Sequence, residues 1–181
     1  MQFRKATESD AEFLAQFGAR AFRGAFAADN DPVNVDRYVA KSFSIEQVTA
    51  ELADPAARHL LAVDTIDGHD VVVGYVHLRA GSTAEGVLAR RPVEVVRIYV
   101  EPGLTGRGYG AALLRAGIAE AQNEGGDVLW LGVWEHNDGA IRFYLRHGFR
   151  RVGRHVFMLG DEAQTDEVFA RPLDLYEADQ T

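Results

Sequence analysis

One segment near the middle of the chain combines a β-branched run, a glycine-rich loop and an apolar helix. Residues 93–100 read VEVVRIYV and predict a strand buried on both faces, and residues 111–121 carry apolar side chains at helical spacing. Between them, Gly106, Gly108 and Gly110 stand at alternate positions, where glycine lets the backbone approach a ligand and turn free N–H groups toward it. Because this loop precedes the positive end of a helix, it predicts an anion site, most simply for phosphate.

The loop alone does not decide which phosphate ligand binds. A nucleotide triphosphate loop requires Gly-Lys-Ser/Thr, and no such triplet follows Gly108 or Gly110. A dinucleotide site needs an acidic residue about 20 residues downstream, at the end of the next strand. Here Asp127 stands at the start of that strand and Glu135 lies past its end, and the loop occurs mid-chain. Both nucleotide interpretations are therefore disfavoured, and a plain strand-to-helix turn stays open.

A second strand and a second helix follow and narrow the choice. Residues 127–133 predict a strand, and Asn137 can cap a short helix that ends at Gly148. With these motifs in place, residues 94–149 resemble the GNAT superfamily of acetyl-CoA-dependent N-acetyltransferases. The resemblance implies an α/β (α+β) GNAT fold: a mixed central sheet of about seven strands flanked by helices, in which a splayed parallel pair of strands forms the acetyl-CoA cleft.

The remaining elements are predicted from local patterns. A single domain over residues 1–181 fits the length and composition of the chain. We expect a strand at residues 2–5, a helix that begins at a Ser9/Glu12 capping box and runs to about Arg23, and short helices near residues 35–40 and 44–52, the latter capped by Ser44. We also expect two hairpins, formed by residues 59–64 with 71–79 and by residues 150–158 with 167–173.

The resemblance assigns the contacts to acetyl-CoA, the cosubstrate. It implies that the backbone of Ile98, Tyr99 and Val100 binds the pantetheine arm, and that the loop holds the pyrophosphate through Thr105, Gly106, Arg107, Gly108, Tyr109 and Gly110. The family loop is usually Gln/Arg-x-x-Gly-x-Gly/Ala, so Thr105 departs from it by lacking a long polar side chain; Arg107 is placed to compensate. Asn137 lies where the family often has an asparagine near the pantetheine arm, although capping alone would explain it.

The resemblance also implies a general acid. Tyr144 follows Asn137 by seven residues, where the family places a tyrosine whose hydroxyl faces the sulfur of the cosubstrate. A phenol with a pKa of about 10 is protonated at neutral pH and can donate to a departing thiolate. The alternative is that Phe143 and Tyr144 only pack the helix on the sheet.

A general base is needed because an alkylammonium with a pKa of about 10.4 is almost fully protonated at pH 7. Glu94 stands six residues before Val100, where histone-type members of the family carry their base. A solvated residue at the start of the strand is the alternative. Other members place a glutamate on the next strand, and that position is Gly132 here. Glu135 is a second candidate carboxylate, and His136 fits a surface residue better than a base.

Composition and charge restrict the partners. The chain has no cysteine, so acyl transfer is direct or passes through another nucleophile, and its six histidines show no metal-binding spacing, so we expect no metal. A formal net charge of −8 disfavours nucleic acid and favours a cationic substrate. With neither a signal peptide nor a run of roughly 20 apolar residues, we expect a cytoplasmic protein without a membrane partner.

Further stretches look like one branch of the superfamily, the small bacterial spermidine/spermine N-acetyltransferases. They are residues 22–26, 30–32, 44–47, 131–137 and 160–166. This likeness implies acetyl transfer to a primary amine, with a polyamine as first choice and a protein N-terminus, a lysine or an antibiotic amine behind it. A non-catalytic acyl-CoA-binding regulatory module is the alternative from another class. Monomer and homodimer both remain open.

Overall fold

The computed structural model describes residues 1–173, which form seven strands, five α-helices and one 3-10 turn at Glu8–Asp10. The helices are α1 (Ala11–Phe26), α2 (Pro32–Ser42), α3 (Ile45–Ala53), α4 (Tyr109–Asn123) and α5 (Asp138–Arg146). The strands are β1 (Gln2–Lys5), β2 (Ala57–Ile66), β3 (His69–Ala80), β4 (Pro92–Val100), β5 (Val128–Trp134), β6 (Arg150–Leu159) and β7 (Glu162–Pro172). The predicted domain extends to residue 181, and residues 174–181 lie outside the described part.

The strands make one mixed sheet in the order β1-β2-β3-β4-β5-β7-β6. Among the described strands, β4 and β5 pair in parallel and the other neighbours pair antiparallel. The parallel pair follows from the α4 crossover, which carries the chain back to the same end of the sheet. The predicted mixed sheet of about seven strands flanked by helices is confirmed.

Helices cover the sheet on both faces because strand side chains alternate between them. On one face, Leu113 and Leu114 of α4 pack with Leu129 and Leu131 of β5 in a fully buried cluster. On the other face, helices α1 and α3 pack over β2 and β3, and Phe17 of α1 is fully buried there. Among residues 1–173, no helix combines the length and apolar character needed to cross a membrane.

Three local predictions need correction. The Ser9/Glu12 capping box is wrong, because Asp10 Oδ2 accepts from Thr7 N at 2.8 Å and the chain enters α1 through a 3-10 turn. Helix α2 starts at Pro32, earlier than predicted, since the Asp31 carboxylate accepts from the first free amides and proline suits the first helical position. Strand β7 begins at Glu162, because its polar first half pairs with β6 in register.

Candidate active site

Strands β4 and β5 separate soon after they meet, and a cleft opens between them. They pair only from Pro92–Val128 to Glu94–Trp130. A bulge bends β4 just beyond, where Leu78 of β3 faces Val95 and His77 faces Arg97, leaving Val96 as the extra residue. The prediction that residues 93–100 are buried on both faces is therefore wrong for the second half of the strand, which is only partly buried.

The inter-strand cleft has a volume of about 240 Å³ and passes between the two faces of the sheet. Helix α5 packs on the same face of the sheet as α4, and on this face, the α5 face, the cleft is lined by Asn137, Ala140 and Tyr144. From the opposite face it is lined mainly by aromatic side chains, contributed by α1, α2, β5 and β6: Phe22, Phe26, Tyr38, Trp134 and Phe157.

The glycine loop lies in front of α4 with its backbone open. Gly106 and Gly108 adopt φ angles of 79° and 87°, the left-handed region that favours glycine, and a Cβ at either would meet nothing within 4 Å. The first intrahelical backbone bond runs from Ala112 N to Gly108 O at 3.1 Å, so the amides of the first turn of α4 have no acceptor within the helix. Free amides at the start of a 15-residue helix suit a pyrophosphate, so the loop fits the acetyl-CoA assignment.

The second half of β4 presents a free backbone edge to the cleft. Ile98, Tyr99 and Val100 pair on one side with β3, through Val76, Tyr75 and Gly74. On the other side β5 has moved away, so none of the described strands pairs with the outward backbone groups of these three residues. A pantetheine arm carries amides of its own and can bond such an edge as an added strand does.

Tyr144 and Asn137 both come from α5 and both line the cleft. Asn137 caps the helix, its Oδ1 accepting from Ala140 N at 3.0 Å, so the capping role is present whether or not it also contacts acetyl-CoA. Tyr144 is 7% exposed and packs edge-on against Phe149. Burial raises the pKa of its phenol, which keeps the hydroxyl protonated well into alkaline pH. The general-acid role of Tyr144 stays a prediction.

Glu94 lies just outside the cleft lining. It sits at the last register where β4 and β5 still pair, and its Oε2 accepts from Ser82 Oγ at 2.6 Å. Ser82 in turn accepts from Trp130 Nε1 through its carbonyl at 2.7 Å. The assignment of Glu94 as general base remains a prediction. Glu94 can contact an amine only if that amine passes beyond the residues that line the cleft.

Sequence reasoning missed a pair of side chains beside Gly132. Asp166 of β7 lines the cleft, and its Oδ2 lies 3.5 Å from Nε2 of His155 on β6. Strand pairing brings them together across the hairpin, since His155 faces Asp166 in register. The available signal was Gly132 itself, a residue without a side chain in an otherwise bulky apolar strand.

A second unpredicted cluster joins His59, His77 and Glu51 on the α3 face. Their ligand atoms lie within 4.8 Å of one another. However, the two imidazole rings stack, with their centroids 3.9 Å apart and an angle of only 21° between their planes. Because the planes are nearly parallel, a single metal ion cannot lie in the plane of both rings, as a shared ligand geometry would require. Glu51 is engaged by Arg97, whose guanidinium donates to Oε1 at 3.0 Å. This geometry describes a pair of buried neutral histidines, since burial lowers the pKa of both.

The fold and site define an acyl-CoA-dependent transferase, and comparison with known proteins agrees. A model of the acetyltransferase (GNAT) family matches residues 23–149, and the chain belongs to this family. It is 32% identical over 162 residues to an uncharacterized N-acetyltransferase encoded in the pepI 3' region of Lactobacillus delbrueckii subsp. lactis, covering 90% of this chain and 91% of that protein. The protein is an acetyl-CoA-dependent N-acetyltransferase.

Two further similarities are to named proteins. N-alpha-acetyltransferase RimI of Mycobacterium tuberculosis is 38% identical over 102 residues, which are 50% of this chain and 63% of that protein. The crystal structure of PaiA N-acetyltransferase from Thermoplasma acidophilum in complex with coenzyme A has a TM-score of 0.73 at 19% identity, covering 94% of this chain and 98% of that one. At that identity the second similarity shows a shared fold alone.

Replacing Gly108 by aspartate should abolish the thermal stabilisation that acetyl-CoA gives the wild type. The change adds a negative charge where the pyrophosphate should lie. At about 100 times Kd the wild type should gain about 2.7 kcal/mol, read as a rise in Tm. Gly68→Asp is the matched control, because Gly68 in the β2–β3 turn has a φ of 80° and the same open surroundings. An unchanged acetyl-CoA shift in folded Gly108→Asp would place the cosubstrate elsewhere.

Proposed function

We propose that this enzyme transfers the acetyl group of acetyl-CoA directly to a primary amine of a polyamine such as spermidine or spermine. The proposal rests on the aromatic lining of the cleft on the face opposite α5, which we call the acceptor side. Phe22 stacks on Tyr38 with ring centroids 4.5 Å apart, Tyr38 meets Phe157 at 5.2 Å, and Phe26 meets Trp134 edge-on at 6.3 Å. Aromatic walls attract alkylammonium groups through their ring faces and bury the methylene chain between them.

Charge outside the cleft supports a substrate with more than one ammonium. A shallow depression of about 250 Å³ adjoins the cleft and shares Asn30, Trp134 and Gln164 with it. Its wall carries four carboxylates: Asp29, Asp31, Glu135 and Glu162. A polyamine held by one end among the aromatic rings extends its remaining ammonium groups toward this acidic depression, where Coulomb attraction is modest but of the right sign.

The chemistry assigned to the chain's own residues is acid–base. The amine attacks the thioester carbonyl, the C–N bond forms, and the C–S bond breaks as the sulfur leaves. Tyr144 is on the α5 side of the cleft and is protonated, so its hydroxyl can donate a proton to the departing sulfur and regain one from the new amide nitrogen. No acyl-enzyme step is required.

A protein α-amino group is the second candidate acceptor. It is favoured by the similarity to N-alpha-acetyltransferase RimI over half of this chain. A peptide N-terminus carries one ammonium and a polar backbone, which the aromatic walls satisfy less well than a methylene chain. The two candidates therefore differ in what the cleft must desolvate.

An amine panel separates the candidates. The protein is incubated with acetyl-CoA and with spermidine, spermine, a monoamine of similar length, a peptide with a free N-terminus, a lysine-containing peptide and an aminoglycoside. Thiol release gives kcat/KM, and product mass gives the number and place of acetyl groups. We expect the polyamines to have the highest kcat/KM, with the monoamine about 10-fold lower for lack of a second ammonium. Preference for the free N-terminus would reject the polyamine proposal.

Replacing Trp134 by leucine should raise KM for the polyamine about 10-fold while leaving KM for acetyl-CoA unchanged. The change removes the largest aromatic face from the acceptor side, and a desolvated cation–π contact contributes on the order of 1–2 kcal/mol. Phe13→Leu is a control, since Phe13 is an exposed aromatic of α1 outside the cleft lining. Equal KM values in wild type and Trp134→Leu would mean that the aromatic walls do not contact the amine.

A further inference from the structure

The space above Gly132 is filled by the β6–β7 hairpin instead of by a side chain of β5. A Cβ added to Gly132 would lie 2.7 Å from His155 Nε2 and 3.0 Å from Asp166 Oδ2. Any side chain projecting from this position would therefore collide with the pair. Asp166 and His155 thus place a carboxylate and an imidazole beside the cleft at the point where β5 offers none.

Asp166 is a buried carboxylate with one oxygen left unbonded. The residue is 8% exposed, it lines the inter-strand cleft, and its Oδ1 has no hydrogen-bond donor among the described residues. Its Oδ2 faces His155. A buried carboxylate oxygen without a donor costs free energy, and the cost is removed when a cationic N–H donor enters the cleft. A primary ammonium has the charge and the three donors to do so.

His155 connects this carboxylate to solvent. Its side chain is 34% exposed, whereas that of Asp166 is 12% exposed. The pKa of His155 is raised by the hydrogen bond and charge of Asp166, against the effect of burial, with a smaller contribution from Glu94. An imidazole with a raised pKa is a stronger proton acceptor than an ordinary histidine, which suits a proton relay.

Other charged groups around His155 are engaged elsewhere. Arg151 and Arg154 of β6 both form ion pairs with the buried Glu167 of β7. Helix α2 packs on the hairpin through the ring of Tyr38 and through Arg37, which is paired with Asp161. In the loop between β3 and β4, Glu85 approaches the strand at Gly153 through its backbone carbonyl. The carboxylates that act on His155 are therefore Asp166 and Glu94.

We propose that Asp166 binds the acceptor ammonium through Oδ1, that His155 carries one proton of this ammonium to solvent, and that Glu94 acts through His155 without touching the amine. The inference deepens the proposed function and needs only a primary amine as acceptor. The ammonium gives one proton by way of Asp166 to the unprotonated form of His155, and the imidazolium that results releases this proton to water. The resulting free amine attacks the thioester, and its second proton ends on the thiol by way of Tyr144.

Three substitutions test the proposal with acetyl-CoA and the preferred amine of the panel. Asp166→Asn keeps the shape of the side chain and removes its charge; we expect kcat/KM to fall about 10²-fold at pH 7 and the loss to shrink as the pH approaches the amine's pKa of about 10. His155→Gln should lose about 10-fold at pH 7 with the same trend. Glu94→Gln should lose only about 3-fold, because it acts through His155. Asp161→Asn removes an exposed carboxylate from the turn of the same hairpin, outside the cleft, and is the control.

Each outcome has a defined meaning. Asp166→Asn with a wild-type pH profile, or with a loss equal at every pH, would overturn the proton role. A large pH-dependent loss in Glu94→Gln but not in Asp166→Asn would make Glu94 the base. Amine binding, measured by calorimetry with coenzyme A present, needs no turnover and should be lost in Asp166→Asn, while the acetyl-CoA thermal shift confirms its fold. If the preferred amine is not a polyamine, the proposed substrate is wrong, whereas the Asp166 result still decides this inference.

Discussion

Replacing Tyr144 by phenylalanine should lower kcat about 10²-fold while acetyl-CoA affinity stays nearly unchanged. The phenol is buried at the α5 side of the cleft, so the substitution removes a proton donor without opening a void. Because burial raises the pKa of Tyr144, the wild-type hydroxyl stays protonated at alkaline pH, and the deficit should persist to about pH 10. Steady-state kcat and the acetyl-CoA thermal shift are the two measurements.

The matched control for this experiment is Tyr75→Phe. Tyr75 is another buried tyrosine, 2% exposed, but it belongs to the cluster between α1 and the sheet and does not line the cleft. It should retain wild-type kcat. Full activity in Tyr144→Phe would reduce Tyr144 to a packing residue and would require another donor for the departing sulfur.

Lowering the pH from 7 to 5 should reduce the free energy of unfolding by about 4 kcal/mol through the two buried histidines. Burial lowers the pKa of His59 to about 4 and that of His77 to about 2, against an ordinary value of 6.5. Between pH 6.5 and these values the unfolded chain binds protons that the folded chain does not, so stability falls as pH falls. The stabilisation is fully present above pH 6.5 and each histidine loses about 1.4 kcal/mol per pH unit below it.

Urea unfolding at pH 5, 6 and 7 measures this dependence. His77→Leu should remove about half of the slope of unfolding free energy against pH, because only one histidine with a lowered pKa remains. His69→Gln, at the exposed first residue of β3, should keep the slope. His155 acts in the opposite direction, since its pKa is raised, and its contribution is separated by His155→Gln. A flat profile in the wild type would mean that the His59–His77 pair is charged in the folded protein.

The glycine loop and its flanking elements were predictable because their signals are local. Gly108 must adopt a left-handed φ in front of a helix, and Asn137 caps the next helix with its own side chain, so each residue's chemistry is satisfied within a few positions. Ser44 was equally local, since its Oγ accepts from Gln47 N at 3.1 Å. The arrangement of these motifs in space, including the cleft between β4 and β5, was predicted from the family resemblance.

The Asp166–His155 pair and the His59–His77 stack were not predictable in the same way. Both arise from strand register: residues 11 and 18 positions apart in the chain become direct cross-strand neighbours. Register depends on hairpin length and on bulges such as the one at Ala62/Val63, which no short pattern in the chain reports. The start of β7 at Glu162 was not predicted for a related reason. Its polar residues resemble a turn, and only their pairing with β6 shows that they form a strand.

The three register pairs that hold β4 to β5 also set the direction in which the reactants meet. Because the gap beyond Glu94 and Trp130 passes from one face of the sheet to the other, the thioester and the amine can reach the same point from opposite sides. Neither has to leave before the other arrives, so we expect a ternary complex across the sheet and direct transfer of the acetyl group from sulfur to nitrogen. Such a transfer needs no covalent carrier, which is consistent with a chain that has no cysteine.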